Sequence, residues 1–368
     1  MVDVVIIGGG PAGITAGVVL QRKGYKTCII DNQTFPREKL CAGVLTTKAV
    51  NLLQHVYKGI NMDLLEIKYI DKVMMFYKKK IIGKYTIKNK YGVVSRSKFD
   101  NELLKYYKNV GGLVLDGEKS YQIIYDENKV KLSNGKEIVY HCLIGADGIN
   151  SRVRTYVQRK WKTSILCFEK FIPNDLNEDT IKIYFGEMLG GYSWRIPGKD
   201  RVGVGLGEFY IRGMKRDVKK YANYFETQGV DSQEKNIGAF VSSGYFIERP
   251  VNNNVILAGD AAGMVDAMTG EGIFFAMESG KQAALAISDF LKKGIPLSGY
   301  VRRIRKIHIK MREQSKYNKL LYIPRLQQFC IKYMKENPNF VLNVLDNAIS
   351  SYESGYTKEI IKNIFHNK

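Results

Sequence analysis

The chain has 368 residues, 45% of them hydrophobic and 25% charged, with a formal net charge of +21. This is the composition of a globular protein large enough for two domains, and no run of eighteen apolar residues free of charges and breakers occurs, so a transmembrane helix is not expected. Five cysteines without CxxC spacing and four histidines without HExxH spacing argue against a zinc site, a disulfide framework and metal-dependent hydrolysis, and point to a reducing, cytoplasmic setting.

Residues 2–7 (Val-Asp-Val-Val-Ile-Ile) are an apolar, β-branched run that predicts a strand. Asp3 and the breakers Gly8-Gly9-Gly10-Pro11 rule against reading it as a secretion signal. A helical stretch from Ile14 to Lys23 closes at Gly24, and a second strand from Lys26 to Ile30 ends in Asp31, which completes a βαβ unit. A polar loop through Lys39 leads to Cys41-Ala42-Gly43 and a helix from Thr46 to Tyr57. Short alternating strands are expected over 66–95, a helix over Phe99 to Val110, and strands again over 112–146. A strand-rich stretch over 164–250 holds a helix near 212–228. The strand Val255 to Ala258 then meets Gly259-Asp260 and a long helix from about Glu271 to Lys292, and the remainder reads as mostly helical. The order predicts an α/β chain with a discontinuous Rossmann-like domain (1–70, 96–150 and 255–295), an inserted antiparallel β-sheet substrate domain (71–95 and 151–254) and a C-terminal helical region (296–368).

Three motifs carry chemistry. Gly8-x-Gly10-x-x-Gly13 follows a strand and opens a helix, so its glycines serve a tight turn, close approach of a pyrophosphate and helix–strand packing, with the helix N-terminus facing the negative charge. Asp31 follows Gly13 by 18 residues, where a carboxylate can accept ribose hydroxyls and disfavours a 2′-phosphate. Gly259-Asp260-Ala261-Ala262-Gly263 can bring a carboxylate to a ligand hydroxyl and amides to phosphate, and the following Gly270 and Gly272, next to Ile273, suit backbone lying close to something flat. Gly145-Ala146-Asp147-Gly148 is either a third such element or a plain turn after a strand.

Together Gly8-Gly9-Gly10-Pro11-Ala12-Gly13, Gly145-Ala146-Asp147-Gly148 and Gly259-Asp260-Ala261-Ala262 resemble, in order and spacing, the flavoprotein superfamily with the para-hydroxybenzoate hydroxylase-type fold. Within it the chain is most similar to the geranylgeranyl reductase family, which reduces isolated double bonds of polyprenyl chains. Pro36-Arg37-Glu38-Lys39-Leu40-Cys41-Ala42-Gly43 resembles that family's Pro-x-x-Lys-x-Cys-x-Gly stretch beside the isoalloxazine ring, and Arg96 falls where the family has an arginine against the FAD. Tyr192-Ser193-Trp194-Arg195-Ile196-Pro197 resembles its Tyr-x-Trp-x-Phe-Pro element on the substrate side. Ala267 replaces a common proline and Ile196 the phenylalanine. Gly191 to Pro197 also comes within one residue of the Gly-Trp-x-Trp-x-Ile-Pro element of flavin-dependent halogenases.

The resemblance implies non-covalent FAD held by Gly8, Gly10, Ala12, Gly13, Asp31, Cys41, Ala42, Gly43, Arg96, Asp147, Gly259, Asp260, Gly270, Gly272 and Ile273. It implies catalytic roles for Cys41, Tyr192 and Trp194, although Cys41 can also simply fill space, the two aromatics can be core, and Arg96 can sit in a surface ion pair. Cys28, Cys142 and Cys167 lie in apolar strand runs and are expected in the core, with Cys330 a structural helix residue. A second glycine-rich fingerprint after a strand is missing, so the electron donor, NAD(P)H or ferredoxin, is expected to visit from outside. The leading expectation is a reductase delivering hydride from reduced FAD to a double bond of an apolar or lipid substrate. A monooxygenase or halogenase acting through a C4a-hydroperoxide is the alternative, and a flavoprotein electron carrier the third. The positive charge is spread along the chain with no nucleic-acid motif, so nucleic acid is not expected as a partner. Residues 301–368 hold 14 Lys/Arg against 5 Asp/Glu, which leaves peripheral contact with an anionic membrane or a phosphorylated substrate open.

Overall fold

A computed structural model describes residues 1–158, 164–188, 191–209, 218–230, 237–242, 245–267, 269–322 and 324–350. The chain opens with β1 (Val2–Ile7), α1 (Pro11–Gln21) and β2 (Thr27–Ile30), continues through β3 (Val44–Leu45) and α2 (Thr47–Val56), and forms a long hairpin from β4 (Lys68–Tyr77) and β5 (Lys80–Val93). Next come α3 (Arg96–Asn109), β6 (Leu113–Leu115), β7 (Tyr121–Ile124), β8 (Lys129–Leu132), β9 (Glu137–Gly145) and the short α4 (Val153–Val157). Strands β10 (Ser164–Pro173), β11 (Thr180–Phe185), β12 (Gly191–Pro197) and β13 (Arg201–Phe209) lead to α5 (Val218–Thr227) and β14 (Ile237–Ser242). Strands β15 (Val251–Asn252) and β16 (Val255–Leu257) precede the long α6 (Ile273–Lys293), followed by α7 (Gly299–Arg303), α8 (Arg305–Tyr322), α9 (Pro324–Glu336) and α10 (Pro338–Ser350).

The strands sort into two sheets. The first has the order β15-β16-β9-β1-β2-β6, with the β7/β8 hairpin attached to β9. From β16 to β6 its neighbours run parallel, and parallel strands covered on both faces need continuous apolar runs. Val4 to Ile7, Cys28 to Ile30 and Cys142 to Ile144 supply them and are buried. The carboxyl ends of β1, β2, β9 and β16 therefore empty side by side into the glycine turn, Asp31, the Ala146-Asp147 turn and the Gly259-Asp260 turn, the edge where such sheets bind ligands.

The second sheet runs β14-β10-β13-β12-β11-β4-β5-β3. It is antiparallel except at β4/β11, which pair in parallel, so the inserted sheet is mixed rather than wholly antiparallel. These two strands lie a hundred residues apart in sequence, which frees them from hairpin geometry. The segment 66–95 forms two long strands instead of several short ones, because Lys78 and Lys79, both at positive φ, make a two-residue hairpin turn. On one face of this sheet α10 packs Val341 and Leu345 against Ile70, Val73 and Ile87. The Asp346 carboxylate accepts the Lys88 and Asn89 amides at 2.9 and 3.1 Å, which fastens α10 onto β5. No helix among the described residues is long and apolar enough to cross a membrane.

Candidate active site

A cavity of about 880 Å³ extends from the glycine turn across the second sheet to α9 and α10, near the upper end of the roughly 300–1,000 Å³ common for ligand sites. Gly8, Gly10, Ala12, Asp31, Cys41, Ala42, Gly43, Arg96, Asp147, Tyr192, Trp194, Asp260, Gly270, Gly272 and Ile273 all line it. Gly13 and Gly259 stand behind its wall. A Cβ on Gly13 would lie 2.0 Å from the Gly8 carbonyl oxygen, and one on Gly259 would lie 2.9 Å from Ala12 Cβ, so both glycines permit close packing of turn and helix. Gly10 differs: a Cβ there would meet nothing nearer than the Arg37 guanidinium at 3.8 Å, and its free side faces the cavity.

At this end Asp31 is buried, and its carboxylate accepts the Gly9 amide at 2.7 Å and the Gln33 amide at 2.9 Å. Asp147 Oδ2 accepts the Arg152 and Val153 amides, while its Oδ1 is buried without a partner. Burial pushes the Asp147 and Asp260 carboxyls above the usual carboxylate range.

Midway along the cavity, Arg96 makes a bidentate pair with Asp100 at 2.9 and 2.8 Å, and Arg37 joins it at 3.5 Å. The pair is buried, not on the surface, and Arg96 still presents itself to the cavity and to Cys41. Burial opposes the guanidinium charge, but Asp100 holds its pKa above the ordinary value. Cys41 Sγ accepts the Gly43 amide at 3.4 Å. Opposite lies a buried ion pair, Lys48 Nζ to Glu271 at 2.7 Å, with Thr46 donating to the same carboxylate at 2.5 Å.

Beyond Cys41 the wall is made by the second sheet. Tyr192 and Trp194, two apart on β12, face the same side with ring centroids 5.7 Å apart. The Tyr192 hydroxyl donates to the Thr269 carbonyl at 2.8 Å, tying this sheet to the Gly270–Gly272 loop. The Trp194 indole donates to Glu169 Oε1 at 2.9 Å. Glu169 is 3% exposed and lines the cavity, with Oε2 buried and unpartnered. Burial pushes its carboxyl up to about 7, against the opposing pull of Trp194 and Arg201.

Sequence reading missed Glu169, because a lone carboxylate in an alternating strand reads as a solvent-facing residue. The usable signal was Ile165-x-Cys167-x-Glu169, one face of β10, together with Gly203-x-Gly205-x-Gly207 on its neighbour. Cys167, expected in the core, lines the cavity half-buried, because the face of β10 that carries it looks into open space. Cys28 and Cys142 are in the core, and Cys330 is a buried helix residue that also reaches the cavity.

The residues present fit a flavin dinucleotide. The open side of Gly10 at the α1 N-terminus suits a pyrophosphate, the unpartnered Asp147 Oδ1 offers an acceptor to a ligand hydroxyl, and Cys41–Gly43 and Gly270–Ile273 both border the same cavity. A family model described as an FAD binding domain matches residues 1–167. A protein of Methanosarcina barkeri, itself uncharacterized, is 33% identical over 80% of this chain and 76% of its own length. The digeranylgeranylglycerophospholipid reductase of Methanococcus aeolicus is 27% identical over 95% of this chain and 92% of its own. The chain belongs to the geranylgeranyl reductase family of FAD-dependent oxidoreductases. A solved geranylgeranyl bacteriochlorophyll reductase-like structure from Thermoplasma acidophilum shares the fold of this family member at a TM-score of 0.77 and 18% identity, covering 99% of this chain and 96% of that one. The cofactor of this reductase-family chain is FAD, as the matched domain requires.

Proposed function

We propose that this family member reduces a carbon–carbon double bond of an apolar, polyprenyl-like substrate. The observation that carries the reading is that one cavity is lined both by the flavin-side segments around Cys41 and Gly272, with Glu169 and Trp194, and by an apolar wall. That wall is made by Ile181, Ile183 and Phe185 of β11 and by Ile331, Met334, Phe340 and Val341 of the C-terminal helices. Burying isoprene units there is favoured by about 25 cal/mol per Å² removed from water. Bound FAD supplies two electrons as a hydride, and an external donor, NAD(P)H or ferredoxin, replenishes them. The protein's own residues position the alkene, exclude water and hold the charges of the site.

A second cleft, of about 570 Å³, lies between the 248–249 segment and helices α7 and α8. Arg249, Arg302, Arg305 and Arg312 line it without any lysine, in a chain that has 41 lysines and only 16 arginines. Arginine is the better fork for phosphate, and in our reading this cleft meets the phosphate of an anionic lipid surface while the apolar chain enters the cavity. The test is anaerobic turnover with a polyprenyl phospholipid and mass analysis of the product. Gain of two hydrogens per double bond supports the proposal; unchanged lipid with a fully reduced cofactor overturns it.

A further inference from the structure

Glu169, Gly205 and Trp194 form one cross-strand row. Glu169 of β10 pairs with Gly205 of β13, and Gly205 pairs on its other side with Trp194 of β12. A Cβ on Gly205 would lie 2.4 Å from the Trp194 ring. The missing side chain is what lets the indole cross a whole strand and reach Oε1. Gly203 continues the bare strip, with a Cβ there only 3.0 Å from Glu169 Oε1. The strip spends two strand positions that would otherwise pack a side chain, and what it creates is one carboxyl group with Oε1 fixed and Oε2 left unpartnered beside the cavity.

The titratable and charged groups facing this carboxyl are few. Arg201 comes from β13 and Cys167 from the same strand, while the backbone amide of Cys41, in the loop after β2, joins Trp194 and Arg201 in favouring the charged form. Arg201 is itself placed beside Ser95, Phe171 and Glu38. Burial outweighs these neighbours, and the group is protonated up to about neutral pH. A buried carboxyl that is neutral near neutral pH and borders the substrate cavity is suited to act as a proton source.

Resting on the reductase reading above, we propose that Glu169 is a catalytic residue of this protein, the acid that protonates the substrate alkene. In that step the Glu169 O–H bond breaks and its pair stays on the carboxylate. The π pair of the alkene forms the new C–H bond to that proton, and the adjacent carbon takes the hydride with its two electrons. The alkene is reduced by two electrons, the cofactor is oxidised by two, and Glu169 regains its proton from water. Trp194 is a positioning residue: its indole donates to Glu169 Oε1 at 2.9 Å and holds the carboxyl at the cavity wall.

The experiment compares wild-type protein with Glu169→Gln and Glu169→Asp, all loaded with FAD. Glutamine keeps an acceptor for Trp194 but has no acidic proton. We expect both variants to take up FAD and to be reduced by dithionite as wild type is. Reoxidation of the reduced Glu169→Gln protein by a polyprenyl phospholipid is expected to slow by about 10²-fold or more, the usual contribution of a general acid. Wild-type reoxidation should fall as pH rises through about 7, the Glu169→Asp profile should fall at a different pH, and that of Glu169→Gln should be flat. An infrared pH titration of wild-type protein without added cofactor, with Glu169→Gln subtracted, reads the carboxyl directly. Loss of its protonated band near pH 7 supports the role; loss in the ordinary glutamate range overturns it. Equal lipid-driven reoxidation by wild type and Glu169→Gln also overturns the role and leaves the reductase reading standing. A wild-type protein that the lipid does not reoxidise at all overturns that reading, and the proton-donor role with it.

Discussion

The Trp194 indole reaches across the glycine of an intervening strand to donate a 2.9 Å hydrogen bond to Glu169. Burial of that carboxyl, whose upward pull on the pKa the indole opposes, sets how stability varies with pH. The folded protein raises this carboxyl from 4.5 to about 7, so it binds the proton more tightly than the unfolded chain does. The stabilisation is fully present below about pH 4.5 and is lost as pH rises toward 7. At ~1.4 kcal/mol per tenfold change in affinity the whole effect is about 3 kcal/mol. Thermal unfolding between these pH values should show wild type losing stability relative to Glu169→Gln; parallel curves would contradict the assignment.

Gly10 and Gly13 are three residues apart in one motif, yet we expect their alanine variants to fail differently. The Gly10→Ala methyl has room in the protein and intrudes only where a pyrophosphate would approach. FAD affinity should fall at least tenfold, about 1.4 kcal/mol, with thermal stability unchanged. The Gly13→Ala methyl would overlap the Gly8 carbonyl, so overpacking should cost about 1–3 kcal/mol or more before any ligand is added. Flavin titration and melting curves of both variants check this, and loss of fold in Gly10→Ala would contradict it.

Lys48 and Glu271 are nearly excluded from solvent, with side chains 7% and 9% exposed. Burial already pushes the Glu271 carboxyl up, and Lys48 acts against that shift. Replacing Lys48 by methionine removes the nearer counter-charge of a buried carboxylate and leaves only the more distant Lys310, which should cost about 3 kcal/mol in denaturant unfolding. Adding Glu271→Gln should recover part of the loss. A single variant as stable as wild type would show that the pair is hydrated in solution.

Much of this site was legible because its information is local. The strand, glycine turn and helix of 2–21 and the acid closing β2 follow from short-range period and turn chemistry, and the turns at Asp147 and Asp260 end apolar strands in the same way. Glu169 was not legible, because its role depends on register. Whether a strand face looks at solvent, core or cavity is set by which strands flank it, and β10 lies between β13 and β14, partners distant in sequence. The same reason misplaced Cys167. The C-terminal helices were readable as helices, but the seating of α10 on β5 through Asp346 and two backbone amides has no sequence signature.

The arginine cleft predicts a salt-sensitive surface interaction. Only Glu248 among its lining residues is acidic, and Arg312 already engages it. His308 in the same cleft is held neutral, its pKa lowered to about 4 by burial and by Arg312, so the charge should not change between pH 6 and 8. Basic residues near an anionic membrane contribute about 1 kcal/mol each. Arg302→Glu with Arg305→Glu should weaken binding to vesicles containing anionic phospholipid by tenfold or more, and added salt should weaken wild-type binding. Indifference of vesicle binding to both changes would remove the membrane role of this cleft. Competition by inorganic phosphate alone, without vesicle binding, would assign it to a soluble phosphate ligand.

In the proposed reaction, reduced FAD in this protein passes its electrons to an apolar alkene. The most direct measurement is to reduce the FAD-loaded protein anaerobically and follow the flavin absorbance after mixing with a polyprenyl phospholipid, and separately with air. We expect the lipid to restore the oxidised flavin spectrum with a saturated product, and air to do so slowly with no transient species. A flavin that ignores the lipid but reacts rapidly with air through a transient absorbing species would contradict the account and make the protein an oxygenase.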